Sequence, residues 1–279
     1  MINQRLLLSL KDRPGIVAEV STMLAKHGAN ITGLDEHAEP AAGRFAMRIA
    51  FALPVEQQDV LASALHIWSK KEEGEIHLHA ADRVPRVAIL CSREDHCLAD
   101  LLWRFDAGEL RGRVVGVFAT QPGHEAICSA YDVPLRHMPV GDGGMPVHEK
   151  ELLEGLDGVD LVILARYMRI LSEDFLERVN APVINIHHSF LPAFIGANPY
   201  EEAHERGVKL IGATAHYAWP ELDAGPIIEQ DVVRVGHRQD PGQLRLMGRD
   251  VERVVLARAV KAHLEDRVVV WGNRTVVFS

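Results

Sequence analysis

Apolar and polar positions alternate along this chain in two distinct rhythms. Over the first 80 or so residues the segments are short. Arg5 to Leu10 reads as a strand, and Gly15 to His27 carries Ile16, Val20, Met23 and Leu24 at helical spacing. Gly28 stands where a helix C-terminal cap is expected. Asn30 to His37 and Arg44 to Ala52 read as strands joined by a turn around Pro40 and Gly43. Val55 to Lys70 predicts a second helix with Val60, Leu61, Ala64, Leu65 and Trp68 on one face, and Glu75 to His79 a last strand. The order βαββαβ is the ferredoxin-like arrangement, complete in itself. It sets a domain boundary near Ala81 to Pro85, giving domains 1–82 and 83–279.

Beyond that boundary strand and helix alternate. Arg86 to Cys91 and Arg113 to Phe118 are apolar strands flanking a helix that turns Leu98, Leu101, Leu102 and Phe105 inward. Leu161 to Ala165 and Val183 to His187 continue the series. Such alternation implies a Rossmann-like, mostly parallel sheet with helices on both faces, and ligands beyond the carboxyl ends of its strands. Leu210 to Tyr217 and Ile227 to Arg234 are longer strands. Asp250 to Leu264 is a helix, and Val268 to Val277 is a hairpin turning at Gly272-Asn273.

Composition narrows the function classes. A net charge of −9 argues against a nucleic-acid partner, which needs clustered cations. Apolar runs such as Leu161 to Ala165 are too short to span a bilayer, and Met1 to Arg5 has no signal-peptide pattern. Cys91, Cys97 and Cys128 form neither a disulfide frame nor a zinc spacing, so a reducing cytoplasm is expected.

The candidate chemistry lies at Asn185 and His187, followed 36 residues on (223 − 187) by Asp223. Two residues apart on an extended backbone, Asn185 and His187 point the same way. An amide N–H and an imidazole N–H on one side of a strand end can hold an oxygen that becomes negative during attack on a carbonyl. Asp223, between Leu222 and Ala224-Gly225-Pro226, is a turn carboxylate able to orient a water or take its proton. His187, His188, His216 and Asp223 include enough ligand types for zinc, but adjacent histidines on an extended chain diverge, so no metal is expected. Ser172 reads as the N-cap of a helix after the Met168 to Leu171 segment.

Three blocks carry a resemblance. Asn185-Ile186-His187-His188-Ser189-Phe190-Leu191-Pro192-Ala193-Phe194-Ile195-Gly196-Ala197-Asn198-Pro199-Tyr200, Leu164 to Ser172, and Gly212 to Tyr217 with Glu221 to Gln230 are similar to the enzymes that use formyl-tetrahydrofolate. The Ile195 to Tyr200 text, Asp95-His96-Cys97-Leu98 and the Asn273 to Phe278 tail resemble the formyltetrahydrofolate deformylases among them. The resemblance implies hydrolysis of 10-formyltetrahydrofolate to formate and tetrahydrofolate, balancing the one-carbon pool and supplying formate for purine synthesis, with the folate as substrate and no cofactor. It implies that Asn185 and His187 bind the formyl oxygen and that Asp223 manages protons. Met168, Arg169, Ile170 and Leu171 would line the pterin pocket, with His216 near the site and Arg169 able to pair with an anionic part of folate. Ala218-Trp219-Pro220 and Ala119 to Gly123 depart from the family's usual text.

Asp12-Arg13-Pro14-Gly15-Ile16-Val17 and His27-Gly28-Ala29-Asn30-Ile31 resemble an ACT domain. That likeness implies an amino-acid-regulated homo-oligomer, with glycine or methionine as effector near Asp12, Pro14, Gly15, Ile16 and Asn30. Two rivals exist. Formyl transfer to an amine, as by glycinamide ribonucleotide formyltransferase, needs a phosphate cradle after the first strand of the catalytic domain. Cys91-Ser92-Arg93-Glu94-Asp95-His96 has no Gly-rich loop there and carries an acidic pair. A non-catalytic amino-acid or folate sensor would have no use for the Asn185, His187 and Asp223 set.

Overall fold

The computed structural model describes residues 1–192 and 199–279. Contacts divide the chain into two units: Met1–Arg83 with Glu265–Trp271 and Thr275–Ser279, and Val84–Leu264 with Gly272–Arg274. The first unit begins with β1 (Ile2–Lys11), α1 (Ile16–Lys26), β2 (Asn30–Glu39), β3 (Arg44–Leu53), α2 (Gln58–Lys71) and β4 (Glu75–Ala80). Its sheet runs β2-β3-β1-β4, antiparallel throughout. Leu6, Leu8 and Leu10 alternate on one face of β1 and pack with Ile16, Val20, Leu24, Leu61 and Leu65 from the two helices. Val60, expected on the buried face of α2, is 54% exposed; the burying residues are Leu61 and Leu65, one turn apart.

The second unit comprises β5 (Arg86–Cys91), α3 (His96–Asp106), β6 (Arg113–Ala119), α4 (Glu125–Ala130), β7 (Leu135–His137), α5 (Gly144–Gly155), β8 (Leu161–Ala165), α6 (Glu173–Arg178), β9 (Val183–His187), α7 (Pro199–Glu205), β10 (Leu210–Tyr217), β11 (Ile227–Arg234) and α8 (Pro241–Leu264). Strand order is β11-β10-β9-β8-β5-β6-β7. The five strands from β9 to β7 are parallel, while β10 and β11 are antiparallel additions. β5 and β8 are almost wholly buried, as their unbroken apolar text requires of a parallel sheet covered on both faces.

Helix α8 starts nine residues before the expected Asp250 (250 − 241). Asp240 explains this: its Oδ1 accepts from the Gln243 N–H, and Gln243 Oε1 accepts from the Asp240 N–H. That reciprocal box, with Pro241 in the first turn, starts the helix.

The final hairpin, β12 (Val268–Trp271) and β13 (Arg274–Val277), falls mainly in the first unit, which the division at residue 82 did not anticipate. Val269, Trp271 and Phe278 cover Leu7 and Ala46 on the face of the sheet opposite α1 and α2. The Trp271 indole donates to Ser9 Oγ at 2.6 Å, and Asp266 pairs with Arg5 and His79. Among the described residues no helix is long and apolar enough to cross a membrane.

Candidate active site

Register builds the centre. Asn185 and His187 lie on one face of β9 by alternation, and His216 of β10 pairs directly with Asn185. A bulge between Ala215 and His216 on the β11 side re-aims the strand there. Asn185 Nδ2 lies 3.1 Å from His216 Nε2. His216 Nδ1 lies 2.9 Å from the Tyr217 carbonyl oxygen. A carbonyl only accepts, so His216 Nδ1 carries a proton.

The loop between β10 and β11 supplies the carboxylate. Asp223 sits there at φ 55°, a conformation that Asp tolerates better than most residues. Gly225 permits the fold of this loop, because a Cβ there would land on the Tyr217 carbonyl oxygen. Asp223 Oδ2 is 3.1 Å from His187 Nδ1, and Oδ1 is 3.6 Å from His216 Nε2. Burial alone would push the Asp223 carboxyl up. Hydrogen bonds and charge from His187 and His216 outweigh it and hold the group well below the ordinary carboxylate range. Asp223 is therefore ionised at neutral pH.

His187 Nδ1 faces that carboxylate and must donate to it. Its Nε2 is buried and has no hydrogen-bond partner among the described residues. Asn185 Nδ2 is turned toward His216, and with Nδ1 facing Asp223 the second ring nitrogen of His187 is the one left for proton exchange. The arrangement is an oriented imidazole beside an amide, suited to moving one proton at a carbonyl.

The segment after β8 is held from beneath. Glu149 of α5 accepts from both the N–H and the hydroxyl of Ser172, at 2.7 and 2.6 Å, and Ser172 Oγ caps α6 at the Phe175 N–H. Tyr167 OH meets His148 Nε2 at 2.5 Å. Above these anchors Met168, Arg169 and Ile170 are exposed, Met168 by 52% and Ile170 by 65%, whereas Leu171 is buried in the core. The Leu171 side chain therefore anchors the segment in the core. The loop after β9 is clamped by Thr214, whose hydroxyl donates to the Ser189 carbonyl and accepts from Leu191 N–H and Gln230 Nε2. Ala193 to Asn198, the distinctive part of the motif, lie outside the described residues.

Of the metal-type residues considered, His187 and His188 do not diverge: His188 lies beyond the strand, and the ring centroids are 5.1 Å apart. Among the described residues the cluster with ligand atoms within 4.8 Å of one another is elsewhere, at His96, Cys97 and Glu252. Sequence reading missed that cluster, together with Glu149, His148 and Gln230.

In the first unit, Asp12 and Asn30 are accessible and Gly15 is left-handed at φ 93°, opening α1. Ile16 is 2% exposed and belongs to the core, so only its backbone could face an effector. Arg13 clamps this corner through two bonds to Glu19 and one to Glu72.

The chain matches two family models, the formyl transferase model over residues 85–260 and the ACT domain model over residues 5–66. It is 52% identical over 279 residues to formyltetrahydrofolate deformylase of Mycobacterium tuberculosis, covering 98% of this chain and 90% of that protein. The crystal structure of a formyltetrahydrofolate deformylase from Pseudomonas syringae pv. tomato superposes with a TM-score of 0.95 at 44% identity, covering 100% of this chain and 95% of that one. Glycinamide ribonucleotide transformylase 1 from Symbiobacterium toebii matches at TM-score 0.65 and 30% identity, over 70% of this chain and 95% of that one.

Proposed function

This chain belongs to the formyltetrahydrofolate deformylase family, and from that premise we propose that it hydrolyses 10-formyltetrahydrofolate to formate and tetrahydrofolate through Asn185, His187 and Asp223. The observation that carries the reading is the buried Nε2 of His187, without a hydrogen-bond partner among the described residues, on a ring oriented by Asp223 and flanked by Asn185. Asp223 faces His187 Nδ1, so the carboxylate orients the ring and Nε2 takes the proton. Water attacks the formyl carbon while His187 Nε2 accepts its proton. The Asn185 amide and the new imidazolium stabilise the oxyanion. Collapse breaks the bond from carbon to the folate nitrogen, and the same imidazolium returns its proton to that nitrogen. Atoms and charge balance with no covalent enzyme intermediate and no cofactor.

Met168, Arg169 and Ile170 are the folate-facing residues of this reading, with Arg169 able to pair with an anionic tail. A cytoplasmic setting fits three buried free cysteines, and the formate released would serve purine synthesis. The first unit is proposed to bind glycine or methionine near Asp12, Gly15 and Asn30 in a homo-oligomer, coupling to activity by about 1–3 kcal/mol. The test is direct. Purified full-length protein given 10-formyltetrahydrofolate should release formate and tetrahydrofolate in equal amounts, at a rate shifted by glycine or methionine. Absence of formate would reject the hydrolase reading. An unchanged rate, with neither amino acid bound, would leave the first unit an assembly module.

A further inference from the structure

Away from the Asn185 centre, the second unit holds another dense knot of buried charge, centred on Glu252 of α8. Its Oε1 accepts from the Tyr200 hydroxyl at 2.7 Å and its Oε2 from His96 Nε2 at 2.8 Å. Arg166 Nε lies 3.4 Å from the same Oε2. Glu94, two residues before His96, ion-pairs with Arg249 of α8. The Glu252 side chain is 1% exposed. Burial would push its carboxyl up, but His96, Arg166 and Tyr200 outweigh this and hold it at about 2, so it is charged at neutral pH.

Position in the sheet gives this knot its meaning. Strand order reverses at β5, with β8 and β9 on one side and β6 and β7 on the other. In open α/β sheets the crevice beyond the strand ends at such a reversal takes a ligand. Here Glu94 and His96 follow β5 closely, and Arg166 follows β8 directly in a left-handed conformation, φ 60°. Tyr200 and Glu252 close in from α7 and α8. Gly248 makes the closure fit, since a Cβ there would land on the Tyr200 hydroxyl. The knot also reaches the reacting histidine. His188 stands 5.1 Å from the His187 ring on one side and 6.2 Å from the Tyr200 ring on the other.

We propose that the Glu252 knot is a specificity-determining plug: it fills the crevice that an anionic amine would use to reach the formyl group, and leaves water as the acceptor. This rests on the hydrolase reading above. Removing the Glu252 carboxylate both vacates space and strips Arg166 of its counter-ion. The crevice then suits an anion that carries a primary amine. In that reaction the amine nitrogen attacks the formyl carbon and its proton passes through His187 to the departing folate nitrogen, so transfer balances as hydrolysis does.

The test uses full-length wild type and Glu252→Ala, with 10-formyltetrahydrofolate and either 2-aminoethyl phosphate or neutral 2-aminoethanol. Tetrahydrofolate, formate and N-formylated amine are quantified, and inorganic phosphate binding is measured by calorimetry without substrate. Wild type should give formate and tetrahydrofolate one to one, no N-formyl product and no phosphate binding. Glu252→Ala should bind phosphate and formylate 2-aminoethyl phosphate at least tenfold above the wild-type background, with 2-aminoethanol far behind. A folded Glu252→Ala protein that binds no phosphate and still releases formate and tetrahydrofolate one to one would overturn the plug. Should Glu252→Ala not fold, Glu252→Ser carries the same measurements, and the same outcomes support or overturn the plug. Wild type that itself formylates the amine would sink the hydrolase reading and the plug together, whereas an unmoved variant beside a hydrolysing wild type sinks the plug alone.

Discussion

Two clusters of histidine and carboxylate lie in the same seven-stranded unit and use the same chemical parts. At Asp223 the carboxylate faces His187 and His216, and His187 Nε2 has no hydrogen-bond partner among the described residues. At Glu252 each carboxylate oxygen is engaged, by Tyr200 on one side and by His96 and Arg166 on the other. One carboxylate orients an imidazole whose second nitrogen is buried beside Asn185; the other gathers a tyrosine, a histidine and an arginine around itself, with Arg166 Nε and Nη1 and His96 Nδ1 making no hydrogen bond among the described residues. What separates the two is position: the first stands at the end of β9 beside Asn185, the second where α3, α7 and α8 pack together.

The largest effects should come from breaking the Asp223 cluster. Asp223→Asn keeps size and loses the charge that fixes the His187 tautomer and supports the imidazolium. A loss in kcat on the order of 10²- to 10⁴-fold is expected, with folate binding retained. Steady-state kinetics beside an equilibrium folate titration separates the two, and near-normal turnover would move the role to another group. Asn185→Ala removes the amide proposed to face the formyl oxygen, and kcat should fall on the order of 10²- to 10³-fold without loss of fold.

The Glu252 cluster should answer in stability. Glu252→Ala leaves Arg166, His96 and Tyr200 buried without their acceptor, a cost of about 3–5 kcal/mol by urea unfolding. Its acid dependence has a definite sign. The folded Glu252 value, about 2, lies below its ordinary 4.5, so its contribution is present above that range and is lost as pH falls from there toward 2. Glu252→Gln should flatten that limb of the stability curve. An unchanged acid limb would mean that other carboxylates set it. A smaller effect is expected at Ser172, which caps α6 and receives Glu149: Ser172→Ala should cost about 1 kcal/mol. It should also raise KM more than it lowers kcat, because it loosens the segment carrying Met168 to Ile170.

The Asp223 cluster was legible in the sequence and the Glu252 one was not. Asn185 and His187 are two apart, Asp223 sits in a Gly- and Pro-marked turn, and alternation alone puts the first two on one face. The tautomers needed the cross-strand register that seats His216 opposite Asn185. The Glu252 knot joins residues as far apart as 156 positions and comes from packing of α3, α7 and α8, which no local pattern encodes. Two misses were readable. Asp240 and Gln243 spell a capping box that starts α8. The Leu6-Leu7-Leu8 run, apolar at consecutive positions, signals a strand covered on both faces, and Leu7 is covered by the C-terminal hairpin.

Chelation should separate the clusters by doing nothing to either. At the first site both Asp223 oxygens already face imidazole nitrogens, and no third ligand converges among the described residues. The His96, Cys97 and Glu252 group is closer to a ligand set, but its physics opposes a cation. A metal needs the thiolate, and burial pushes the Cys97 thiol well above its ordinary range, helped by the Glu252 charge. Arg166 already stands within 3.4 Å of Glu252 and would repel a divalent ion placed there. EDTA should therefore leave both kcat and Tm unchanged. A fall in Tm restored by zinc would make Glu252 a metal ligand and its cluster a cation site. A fall in kcat alone, restored the same way, would place the metal at His187 and overturn proton transfer through its free nitrogen.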